Sequence, residues 1–174
     1  MTYKTRGRWA GLAFLVLGFV SANAGAIDAP SAAAAAQPEI AGGPTAEDVL
    51  PGASALARET FPRFLAAATS RGGKTLPGAA VKITVPLSDG TATTAWVDRV
   101  SADGDGFTGR PMGQALTLGD TLTFTADEVL DWSDTGPDGR IYGNFIARAM
   151  MEVLPPHRAA LIAATLSLDP YPAG

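Results

Sequence analysis

The chain has 174 residues, with 13 Lys and Arg against 17 Asp and Glu, a formal net charge of −4, and no cysteine. The missing thiols exclude a disulfide framework, thiolate catalysis, a cysteine metal centre and a cysteine-anchored lipoprotein. The acid excess, without any run of Lys and Arg, excludes a phosphate-neutralising nucleic-acid surface and adhesion to anionic lipid.

Lys4, Arg6 and Arg8 precede an apolar stretch at residues 9–20. About a dozen residues fall short of a bilayer span but match a signal-peptide core. Small residues follow at 21–26, with Ala24-Gly25-Ala26 as the preferred cleavage motif and Ala22-Asn23-Ala24 as the second choice. We therefore expect residues 1–26 to be a cleaved signal peptide and the chain to be exported, periplasmic or secreted; the alternative, an uncleaved anchor, is disfavoured by the short core. Membrane contact is expected only through that peptide, before cleavage, and the processed chain is expected to be soluble. Cleavage removes three cations and no acid, leaving 148 residues with ten basic against 17 acidic groups, a net charge of −7. That length supports one core.

Residues 27–43, rich in Ala and punctuated by Pro30, Pro38, Gly42 and Gly43, read as a tether, and residues 44–174 as one domain. Thr45 is a predicted N-cap with Asp48 at the third helical position. Pro51-Gly52 is expected to interrupt that helix. The stripe Leu56, Ala57, Phe61, Phe64, Leu65 and Ala68 has helical spacing, and Pro62 within it predicts a kink or break. Residues 71–78 read as a loop.

The middle reads as β. Val81, Ile83 and Val85 alternate up to Pro86, and Asp89-Gly90 turns into a second strand at 93–100 carrying Trp96 and Val97, with Trp96 expected in the core. Asp103-Gly104-Asp105-Gly106 turns into a third strand at 107–110. Gly119-Asp120 precedes a fourth at Leu122 and Phe124. Thr125 and Glu128 form a capping box for a short helix expected to end near Asp131-Trp132. Asp138-Gly139 is a further turn. Asn144 is expected to cap a helix through Phe145, Ala149 and Met150. Pro155-Pro156 separates it from a last helix with Leu161 and Ile162. The expected fold is α+β: an antiparallel sheet of about four strands, with an N-terminal helix and C-terminal helices.

Residues 81–148 resemble the bacterial family known as domain of unknown function 2314. The matching residues are Val81-Lys82, Trp96-Val97, Gly109, Gly119-Asp120, Asp131-Trp132, Gly143-Asn144-Phe145 and Arg148. The closing Asp169-Pro170-Tyr171-Pro172 resembles the tail of its exported members, and residues 53–68 fall where the family has a helix. This chain departs from the family pattern at Thr94-Ala95, before the second-strand Trp, and at Ser133-Asp134, after the Asp-Trp pair. The resemblance implies a fold and an envelope location, and no activity.

Candidate chemistry is sparse. Gly73-Lys74-Thr75 mimics the end of a phosphate loop but lacks its first glycine, since position 68 is Ala68. Asp103 and Asp105 start like a calcium loop, yet position six is Thr108 and position twelve is Gln114, so a hairpin turn is expected. His157 is the single histidine and has no nucleophile elbow or cysteines to work with, so no catalytic residue, metal or cofactor is expected. Asp131, Trp132, Asp134 and Arg148 are the candidate binding residues. Two carboxylates and a Trp platform could serve an envelope glycan hydrolase built on Asp131 and Asp134. The structural reading is favoured, with Trp132 closing the end of the sheet and Asp131 capping a helix end or pairing with Arg148. The expected function is a non-catalytic binding or interaction domain for an envelope protein or small ligand, without nucleic acid. The alternatives are the hydrolase and an immunity- or inhibitor-type protein.

Overall fold

A computed structural model describes residues 43–70 and 72–171. The expected signal peptide, and the tether up to residue 42, lie outside the described residues. The rest is α+β. Helix α1 (Ala46–Ala68) leads into six strands: β1 (Ala80–Pro86), β2 (Ala92–Asp103), β3 (Gly106–Pro111), β4 (Leu122–Phe124), β5 (Val129–Thr135) and β6 (Ile141–Gly143). Helices α2 (Phe145–Met150) and α3 (Pro156–Ala163) follow. The strands form one antiparallel sheet in the order β4-β3-β2-β1-β5-β6.

Helix α1 starts as its local chemistry dictates. The Asp48 carboxylate accepts the Thr45 backbone N–H at 2.8 Å and its hydroxyl at 2.6 Å, satisfying groups that a helix start leaves open. The helix then runs through both Pro51 and Pro62 without the interruption expected at Pro51-Gly52 and without a break at Pro62. Each proline removes one donor, but both sit on the exposed side of α1, where water can solvate the carbonyl left behind. The opposite side buries Ala53, Ala57, Phe61, Phe64 and Ala68, a helical repeat laid against the sheet.

The sheet has six strands, not about four, because the region after the Thr125–Glu128 box is not a helix. That box closes only a single 3-10 turn at Ala126–Glu128, with Glu128 accepting the Thr125 N–H at 2.7 Å. Val129 then begins β5, which is hydrogen-bonded on both sides, to β1 and to β6. Asp131 and Ser133 are buried along with Val129 and Trp132, so the strand shows no apolar–polar alternation in its sequence.

Trp96 is a second correction. Ala95 and Val97 pair with the buried Ile83 and Val81 and face α1. Trp96 lies between them in sequence, so the two-residue period sends it to the opposite face, beside Lys82, where it is only half-buried. Adjacent strand residues cannot both enter one core. Trp132 occupies the core position instead: its ring stacks on Phe64 at 4.9 Å and meets Phe145 edge-on at 5.4 Å, and its indole N–H donates to the Thr60 hydroxyl at 3.0 Å.

Candidate functional site

Four candidate residues converge on the junction of β5, β6 and α2, but they do not line one cleft. Asp131 and Trp132 are fully buried, whereas Asp134 and Arg148 are partly exposed. Asp131 sits on β5 and not at the end of a helix of its own. One carboxylate oxygen accepts the N–H groups of Trp132 and Phe145, each at 2.9 Å, and the other accepts that of Ile146 at 3.0 Å. It therefore caps α2 from a strand fourteen residues earlier in the chain. Asn144 holds the N-cap position in a left-handed conformation, and its side chain makes no capping bond. The cap is tertiary.

The ion pair with Arg148, the alternative to a helix cap for Asp131, is not formed. The Arg148 Nε donates to the Gly143 carbonyl at 2.7 Å, tying α2 back to β6. Burial lowers the pKa of Arg148 from the usual arginine value, and the nearby charges of Asp131 and Asp169 oppose that shift. Among the described residues the one ion pair is Arg110 with Asp98, on the outer face of the sheet. Asp131 and Asp134 are three residues apart on one strand, a spacing that sends them to opposite faces. They cannot flank one scissile bond in the way paired glycosidase carboxylates do. His157 is exposed on α3, and Asp103 and Gly106 close the β2–β3 hairpin.

Burial pushes the Asp131 carboxyl up to about 6, against the pull of three N–H donors and the Lys82 charge. An unfolded aspartate titrates near 4, so between about 4 and 6 the folded chain binds more protons than the unfolded one. The stability this group contributes is complete below about 4 and is lost as pH rises through about 6. The gap corresponds to about 3 kcal/mol. Thermal melts at pH 5 and pH 7 should therefore show wild type favoured at pH 5 relative to Asp131→Asn. Parallel pH profiles for the two proteins would refute the shift.

A groove of about 460 Å³ opens between α1 and α2. From α1 it takes Asp48, Val49, Gly52, Ala53 and Leu56, one helical face. Phe145, Arg148, Ala149 and Glu152 continue the same kind of spacing through α2 and the turn after it. Pro170 closes one side, and its carbonyl accepts the Gly143 N–H at 2.7 Å. At Gly52 a side chain would meet open space, so an occupant can approach the α1 backbone there. Of these residues, Arg148 is the one that also stands among the four candidate binding residues. The available signal was Gly52 in mid-helix, four residues from both Asp48 and Leu56. A second, smaller hollow of about 250 Å³ lies between Leu65, Val100 and Phe107 and is mostly apolar.

Among the described residues, no cluster of His, Cys, Asp and Glu could hold a metal ion, and no helix is long and apolar enough to cross a membrane. Comparison of the chain with protein-family models, curated proteins and solved structures gave no match.

Proposed function

We propose that this is an exported, non-catalytic binding domain of the bacterial envelope, related to the domain of unknown function 2314 family, and that it holds a segment of a partner protein in the α1–α2 groove. The observation that carries this reading is the division of labour among its polar residues. Asp131 is buried and consumed by backbone N–H groups inside the fold, and the exposed Asp48 carboxylate serves the Thr45 cap, whereas Glu152 is exposed beside an apolar floor with no partner of its own among the described residues. A concave apolar surface with a few polar groups is the usual form of a binding site. Arg148 lines the groove and also braces its α2 wall.

The test places a photo-reactive amino acid at Leu56 in the groove, or at Thr94 on the outer sheet face, in the producing cells. An adduct of one defined mass from Leu56, and none from Thr94, is expected. The same adduct from both positions would remove the groove from the reading. Release of soluble glycan fragments from purified cell wall would overturn the non-catalytic reading.

A further inference from the structure

We infer that the groove's occupant is an amphipathic helix with an apolar stripe flanked by Lys or Arg; this rests on the groove being the binding site. Three features support it. The first is shape: faces of α1 and α2 together line one groove of about 460 Å³, and at Gly52 a side chain would meet open space, so a helix laid there can come close to the α1 backbone. The second is the floor, where Val49, Ala53, Phe145 and Ala149 offer an apolar strip for side chains at helical spacing.

The third is charge. Arg148 is the one cation of the lining, and its field is opposed by Asp131 and Asp169. Its Nε is held by the Gly143 carbonyl. Asp48 and Glu152 stand at the rim without a cation within ion-pair distance among the described residues. The Asp48 carboxyl is held below the usual carboxylate range by the Thr45 hydroxyl and N–H, so it is charged across the neutral range. An occupant carrying carboxylates would meet repulsion at both rims, while Lys or Arg would meet attraction.

The test titrates the exported protein with a designed helical peptide of about 15 residues, long enough to hold a helix, built from Leu, Ala and Lys. A second peptide carries Glu in place of every Lys. Backbone amide NMR shifts report the site, and fluorescence anisotropy reports the affinity. The Lys peptide should shift Val49, Ala53 and Ala149, with affinity falling as salt rises through several-fold. Glu152→Gln should weaken it about threefold. Gly52→Leu, which fills the trough with a better helix former, should weaken it more than about tenfold while leaving the fold intact. Equal binding of the Glu peptide would overturn the inferred charge and leave the groove reading standing. Shifts that map elsewhere, affinity indifferent to Gly52→Leu, or no binding of either peptide would overturn both.

Discussion

Gly143→Ala is expected to cost about 2–5 kcal/mol of stability, although it adds a single methyl group. Gly143 has φ +65°, the left-handed region where an L-residue is strained by about 1–2 kcal/mol. The added carbon would also overlap the Trp132 ring and the Trp132 carbonyl oxygen. That ring cannot retreat, because it is fully buried between Phe64 and Phe145, and displacing a packed core side chain costs about 1–3 kcal/mol more. Gly139 supplies the control. Its φ of +78° carries the same kind of backbone strain, but a side chain there would meet open space. Gly139→Ala should therefore cost only about 1–2 kcal/mol. Urea midpoints of the two variants separate close approach from backbone strain, and equal losses would show that the close approach of Gly143 to Trp132 adds no cost.

Asp131→Ala is the second large effect. It leaves the N–H groups of Trp132, Phe145 and Ile146 without their acceptor. Each unsatisfied buried donor costs about 1–3 kcal/mol, partly offset at neutral pH because a disfavoured buried charge is removed as well. The net loss should be about 2–5 kcal/mol at pH 7 and larger at pH 5, where the wild-type carboxyl has taken up its proton. Asp131→Asn keeps an acceptor for two of the three donors, so its loss should be much smaller. Hydrogen exchange adds a positional readout: the amides of Phe145 and Ile146 should lose protection in Asp131→Ala before those of β1 and β2. Uniform loss of protection across the sheet would show that Asp131 serves the whole core and not the α2 cap.

Both variants strike the same junction. Trp132 fills the core, Gly143 makes room for its ring, Phe145 packs on its edge, Asp131 caps α2, and Arg148 ties α2 to β6. A set of this kind fixes the position of α2 and therefore the width of the groove. It supports the site without being the site. The C-terminal segment adds to the brace, since Tyr171 lies against Phe145 and beneath the Arg63 guanidinium, 4.6 Å from its ring centre.

Much of the local structure was legible in the sequence because its causes are local. Thr45 with Asp48 and Thr125 with Glu128 each close a capping box across three residues. The alternation of Val81, Ile83 and Val85, and the Gly-containing turns between strands, describe neighbours that any chain would bring together. The α+β class followed from that order of elements, and the absence of cysteine limited the chemistry directly. Tertiary structure decided what depends on residues distant in sequence. β5 is a strand because β1 and β6 supply its hydrogen bonds on either side, and Trp96 faces outward because Val97 takes the inward position beside Val81. The Asp131 partners come from a helix fourteen residues onward, which no local pattern specifies. The groove belongs to the same class. Gly52 and Glu152 are a hundred residues apart in sequence, and their shared rim exists only because buried aromatic packing and the Asp131 cap hold α2 beside α1.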